Sequence, residues 1–175
     1  MSKIIGTVEL YRPEDLMPFL VGHNLVTYEG YDALGKILAG ELAGGINCVY
    51  FQFNNDGAGV ARTAALTDTA ADYLSLNGTV DFLRVKMRGG TTGSSGANFT
   101  TNKASFDCIA TVGLTGVVSD LAFSDSSYVE KLGLVVAPDW DDHTKDMLYA
   151  SFAPGSPQDV SASGIAMRWQ TQFSN

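Results

Sequence analysis

The sequence predicts a mainly β protein, an antiparallel β-sandwich of jelly-roll-like type with one short α-helix near the N-terminus. Three observations carry this. Short segments that alternate apolar and polar residues recur through the second half, each bounded by turn residues. Only one stretch, about 28–39, has clear helical periodicity. The last segment sets Ile165, Met167, Trp169, Thr171 and Phe173 against Arg168, Gln170 and Gln172, the pattern of a strand with one buried face.

Taken in order, Ile4 to Tyr11 reads as a strand, and Pro13 and Pro18 bracket an irregular stretch. Residues 1–21 are therefore expected to form an N-terminal strand and extended arm, and residues 22–175 a single β-sandwich domain. The helix has punctuation at both ends. Thr27 can cap it, Glu29 lies in the first turn where the helix dipole favours negative charge, and Gly40 is placed for a left-handed closing residue. Leu34, Ile37 and Leu38 predict its buried stripe, with Asp32 and Lys36 off it.

Gly44-Gly45 marks a turn, and Ile46 to Phe53 a strand with Val49, Phe51 and Phe53 on one face. Asn54 to Gly57 has strong turn chemistry. Asp68 to Leu74 can make a short helix. Thr79 to Arg88 is a strand whose apolar parity slips between Phe82 and Leu83, which predicts a β-bulge. Gly89 to Asn98 is rich in Gly, Ser and Thr and reads as a loop. Strands are then expected at Phe106 to Val112, Gly116 to Phe123, Tyr128 to Val136, Met147 to Phe152 and Gly164 to Phe173.

A chain of 175 residues fits one domain and is long enough to bury about 70% of its extended surface without metals or disulfides. Apolar residues make up 45% and charged ones 17%, against about 25% charged in a typical soluble domain. Either neighbours cover part of the surface, or Ser, Thr, Asn and Gly solvate it. The net charge of −8 argues against a nucleic-acid partner, since phosphate binding needs clustered Lys and Arg. Arg84, Lys86 and Arg88 share one face of a strand and read as a solvated or partner-facing edge. Cys48 and Cys108 sit in apolar runs and make no disulfide framework, which fits folding in a reducing cytosol. No signal peptide is visible, and no run reaches 18 apolar residues, so no membrane span is expected.

For chemistry, the densest cluster is Asp139-Trp140-Asp141-Asp142-His143. Asp139, Asp141, Asp142 and His143 are weak candidates to hold Ca²⁺ or a transition metal, but their spacing is not that of an EF-hand. The favoured reading is an acidic turn anchored by Trp140. His23 reads as a residue bonded to backbone near the helix start. There is no nucleophile elbow, no His partnered with Ser or Cys, and no phosphate-binding glycine run before a helix. No catalytic role and no cofactor are expected. Tyr128, Trp140 and Tyr149 are possible sugar platforms, or equally core and interface filling.

His23-Asn24-Leu25-Val26-Thr27 followed by Tyr31-Asp32-Ala33-Leu34-Gly35-Lys36-Ile37-Leu38-Ala39-Gly40 resembles small tailed-bacteriophage virion proteins. So do the turn-bearing strand of Val49 to Gly59, the steps Tyr128-Val129-Glu130-Lys131-Leu132-Gly133-Leu134 and Met147-Leu148-Tyr149-Ala150-Ser151-Phe152, and Trp169 in the last strand. The resemblance runs in order from about residue 22 to residue 174. It implies a structural virion protein made in the host cytoplasm, a capsid decoration or cement protein bridging subunits of the major capsid protein. Tail adaptor or receptor-binding fibre component is the alternative, and a lectin-like glycan-binding domain a second one. The segment 1–21 and the absence of a fibre extension are departures that favour a free-standing decoration protein. Ile4, Ile5, Tyr11, Phe19 and Ser94 are the expected partner contacts, and a homo-oligomer is expected.

Overall fold

The computed structural model describes residues 3–12, 15–43, 46–54, 59–74, 80–86, 96–100, 103–112, 128–159 and 165–174. Within them the chain is mainly β. In order come β1 (Lys3–Tyr11), β2 (Leu20–His23), β3 (Leu25–Val26), α1 (Tyr28–Leu38), β4 (Ile46–Asn54), α2 (Ala70–Leu74) and β5 (Val80–Lys86). β6 (Gly96–Thr100), β7 (Lys103–Val112), β8 (Tyr128–Val136), β9 (Met147–Phe152), β10 (Gln158–Asp159) and β11 (Ile165–Ser174) follow, with a 3-10 turn at His143–Lys145 before β9.

The strands form two sheets. The first has the order β2-β1-β11-β7-β6, and the second β3-β9-β8-β4-β5 with β10 beside β8. One buried cluster draws on both. Val8, Leu10, Ile165, Met167 and Trp169 come from the first sheet, and Val49, Phe51, Val129, Leu132, Leu134, Ala150 and Phe152 from the second. Trp169 is fully buried and meets Phe152 edge-on, with ring centroids 6.5 Å apart. The alternation expected of the last strand is met at Ile165, Met167 and Trp169.

The expected arm is largely part of the body. β1 is hydrogen-bonded to β2 on one side and to β11 on the other, and Val8 and Leu10 are fully buried. The irregular stretch between Pro13 and Pro18 falls within the connection from β1 to β2. The sequence His23 to Thr27 is the crossover between sheets. His23 ends β2 at the edge of the first sheet, and Leu25–Val26 forms β3 at the edge of the second. Asn24 makes the step. Its amide N–H reaches the Gly6 carbonyl at 3.3 Å, and its side chain fills the space where a Cβ on residue 6 would lie.

The helix α1 follows three strands instead of standing near the N-terminus, and it is not alone, since α2 forms within the Asp68–Leu74 stretch. β2 and β3 escaped notice because four and two residues are too short for a visible period. The Thr27 cap is met: its Oγ accepts the Gly30 amide at 3.0 Å and donates to the Leu148 carbonyl at 2.6 Å. Gly40, at φ +74°, closes the helix with Gly40 N–H on Ile37 O and Glu41 N–H on Lys36 O, a Schellman pattern. The buried face is turned in part from the expected one. Leu34 packs against the core as expected, and Gly30 and Ala33 are buried, whereas Leu38 is 88% exposed. Gly30 sits directly on the Tyr149 carbonyl of β9, where a Cβ would come within 2.0 Å, and this contact sets the rotation.

The second sheet is covered on both faces. Val49 and Phe51 join the inter-sheet cluster, while Cys48 and Tyr50, of opposite parity, pack with Ala70, Tyr73, Val135, Ala137 and Leu148. In such a sheet, apolar residues of both parities are at home, so parity is no signal of a bulge. Accordingly β5 pairs with β4 in unbroken register from Cys48↔Lys86 to Asn54↔Val80. The irregularities fall between β4 and β8, where Asn47 and Glu130 are the extra residues, and between β8 and β9, where Tyr149 is. Asn47 offsets its missing ladder bonds by pairing its side-chain amide with both N–H and C=O of Ala137, each at 2.8 Å. The expected loop 89–98 is shortened by β6, which begins at Gly96; Ser94 and the expected strand 116–123 lie outside the described residues.

Candidate protein-binding surface

The connection from β1 to β2 presents apolar side chains to solvent. Leu16 is 95% and Met17 76% exposed, and Phe19 and Val21 are exposed beside them. Solvent-facing apolar clusters of this kind mark interaction sites more often than isolated exposed residues do. The hairpin is held in place. Phe19 N–H bonds to the Leu10 carbonyl at 2.9 Å and Asp15 N–H to Arg12 O at 2.9 Å. The Arg12 guanidinium lies 4.7 Å over the Phe19 ring and donates to the Asp159 carbonyl of β10 at 2.7 Å. One arginine thus ties the hairpin to the edge of the second sheet.

Of the expected contact residues, Tyr11 and Phe19 flank the last rung of this hairpin, Leu10↔Leu20. Tyr11 is half-buried and donates to Glu9 Oε2 at 2.5 Å; burial first, then this bond to a carboxylate, pushes its phenol pKa up. Ile4 and Ile5 lie inside β1, opposite Phe173 and Gln172. Leu16 and Met17 were missed, because residues between two prolines carry no period to read; their signal is two adjacent large apolar residues in a turn. A second exposed stripe runs along α1. Tyr28, Tyr31 and Leu38 are exposed, with Gly35 between them, and the Asp32–Lys36 pair at 2.7 Å flanks the stripe. His23, at the end of β2, is exposed, with Nδ1 3.4 Å from the Gly6 carbonyl, in line with its expected backbone role.

The acidic turn is organised by cations. Lys145 Nζ bridges Asp139 at 3.0 Å and Asp142 at 3.1 Å. The lysine, by hydrogen bond and then charge, holds the Asp139 carboxyl below its usual range. Asp142 is held low by Thr144 first and Lys145 second. Asp142 Oδ1 also accepts the Thr144 amide at 3.1 Å and starts the 3-10 turn. Arg84 of β5 braces the same loop. It forks onto the buried Asp146 with two bonds of 2.7 Å, donates to the Asp139 and Trp140 carbonyls, and stacks 4.2 Å from the Trp140 ring. Tyr50 also donates to Asp146, and burial followed by that bond raises the Tyr50 phenol far above its ordinary value. Trp140 remains 40% exposed. Among the described residues, no three His, Cys, Asp or Glu side chains are grouped to hold a metal ion.

The nearest approach to hydrolase-like chemistry is a buried quartet under α2. Asp68 Oδ2 accepts from Lys131 Nζ at 2.6 Å, Ser151 Oγ at 2.6 Å and the Ala65 amide at 2.9 Å. Tyr73 OH lies 3.0 Å from Ser151 Oγ and donates to the Leu132 carbonyl at 2.7 Å. A serine activated by lysine would have to offer its proton to the amine. Here Lys131 Nζ is spent on Asp68 and the serine donates to that same side chain rather than to the lysine, which makes the quartet an anchor. No described helix is long and apolar enough to cross a membrane. No protein-family model, curated protein or solved structure matches the chain.

Proposed function

We propose that the chain is a structural virion protein of a tailed bacteriophage, a capsid decoration or cement protein that bridges subunits of the major capsid protein. The observation that carries the reading is the exposed apolar hairpin of Leu16, Met17, Phe19 and Val21, pinned through Arg12 and adjoining the crossover that bears the virion-like sequence. A pinned hairpin meets a partner with little conformational entropy left to lose. The buried cluster drawn from both sheets supports a β-sandwich of jelly-roll-like type as the rigid body behind it. Repetition over a symmetric shell multiplies a modest contact through avidity.

The test uses particles lacking the protein, to which purified protein is added back. Wild-type chain is expected to bind heads and restore resistance to heat and osmotic shock. A Leu16→Glu/Met17→Glu double variant is expected to keep its melting temperature and lose binding at least tenfold. Binding of wild type to tails alone would move the protein to the tail adaptor or receptor-binding role, and no binding to either would reject the virion reading. The 40% exposure of Trp140, stacked on Arg84, favours a second reading as a glycan platform. A glycan array with Trp140→Ala as control decides it, and absence of any signal removes it.

A further inference from the structure

We infer that residues 59–74 form a strap that opens as one unit from the outer face of the second sheet, ahead of global unfolding. The argument begins with topology. The strap lies within the connection from β4 to β5, and these two strands pair directly with each other from Cys48↔Lys86 to Asn54↔Val80. Lifting the strap therefore breaks no rung of either sheet.

Its attachments to the body are mostly polar: besides bonds to charged side chains, Tyr73 OH donates to the Leu132 carbonyl at 2.7 Å and Gln52 Nε2 to the Asp72 carbonyl at 3.3 Å. Val60 N–H and Arg62 Nε both donate to Glu130, the latter at 2.9 Å. Asp68 takes Lys131 and Ser151, each at 2.6 Å. Ala70 N–H donates to Glu29 of α1 at 2.8 Å, and the same Glu29 oxygen accepts Leu148 N–H of β9 at 2.7 Å. Among the described residues, one backbone bond joins strap to body, from Tyr28 N–H to the Leu66 carbonyl at 2.8 Å. The bulge at Glu130 makes this possible. With one extra residue in β8, Glu130 and Lys131 both serve the strap, the first at Val60 and Arg62 and the second at Asp68, although they are neighbours in sequence.

Such attachments separate more cheaply than core does. The Glu130 side chain is fully buried, and those of Lys131 and Asp68 are 10% and 11% exposed. Ions so placed lose most of their hydration, and water returns it when the strap lifts, which offsets part of each pair's attraction. Of the strap's described side chains, Ala70 and Tyr73 join the apolar cluster beneath it, which also holds Cys48, Tyr50 and Leu148. The β4–β8 ladder, buried on both faces, offers no such low-cost opening, and segments of this contrast open as local units.

The test reads three amides whose bonds cross between strap and body, and the thiol beneath them. In native-state hydrogen exchange, Val60, Ala70 and Tyr28 are expected to share one opening equilibrium, at least a hundredfold more populated than that of the β4 and β8 amides. In a Cys108→Ser chain, Cys48 is expected to react with a disulfide reagent through the same opening, with a denaturant slope well below that of global unfolding. Arg62→Met, at the partly exposed end of the strap, is expected to speed exchange at Ala70 as well as at Val60 by the same factor. Three unrelated equilibria, an effect of Arg62→Met confined to Val60, or a Cys48 reaction that follows only global unfolding would each overturn the inference. The wild-type exchange decides the matter even if a variant fails to fold.

Discussion

Arg84 shows how one side chain can hold a loop, a strand and a buried carboxylate together. Its fork on Asp146 satisfies a side chain with no exposed surface, and its remaining donors fix the Asp139 and Trp140 carbonyls. Arg84→Met is expected to destabilise the protein by about 3–5 kcal/mol, because the buried Asp146 side chain loses its cationic partner. Arg84→Lys should recover only part of this, since a point charge cannot reproduce the bidentate geometry. Urea unfolding, read as a shift in midpoint at constant slope, measures both. Asp68 gives the pH dependence. Burial alone would push its carboxyl up, but the Ala65 amide, Lys131 and Ser151 outweigh it and hold the pKa below the usual value. With the folded pKa depressed, the stabilisation is fully present above the unfolded value of about 3.9 and is lost as pH falls through the folded one. Asp68→Asn is expected to lower stability at neutral pH and to flatten its decline below about pH 4, as followed by unfolding at a series of pH values. None of this was legible in the sequence. Arg84 was grouped with Lys86 and Arg88 by strand parity, and Asp68 lies 83 positions from the serine it binds.

Helix α1 was the most legible element, because its signals are local. Thr27 and Gly40 act within one turn of their own position, and both ends came out as read. Its rotation was legible only in part: Leu34 packs on the core as read, but Leu38 is exposed, because Gly30 lies against a carbonyl of a strand more than a hundred residues away. Two glycines of this helix therefore have opposite fates. A Cβ at Gly30 would meet the Tyr149 carbonyl, so Gly30→Ala is expected to destabilise despite the better helix propensity of alanine. A Cβ at Gly35 would meet nothing within 4 Å, so Gly35→Ala is expected to stabilise by about 0.8–1 kcal/mol. Thermal unfolding of the two variants side by side checks the sign of each. The strands with one buried face, such as β11, were read from their alternation. β4 was read as one-sided because α2, which covers Cys48 and Tyr50, is a helix of five residues and left only a faint trace in sequence.

At the scale of the whole molecule, the mainly β character followed from many short alternating segments, each a local signal. The order of strands in the two sheets did not, because it depends on pairings such as Lys3↔Ser174 between opposite ends of the chain. The candidate surface was half legible. Tyr11 and Phe19 were singled out, while Leu16 and Met17 lay in a stretch with no period. The pairing of β1 with β11 also has an architectural consequence. Directly opposed residues of an antiparallel ladder are about 5 Å apart at Cα, so the chain enters and leaves the first sheet at almost one point. A peptide tag fused ahead of residue 3 and one fused after residue 174 would be displayed from the same spot, as neighbours. If the hairpin at residues 16–21 is the docking face, a single steric probe at that spot reports whether docking leaves this corner open, whichever end carries it.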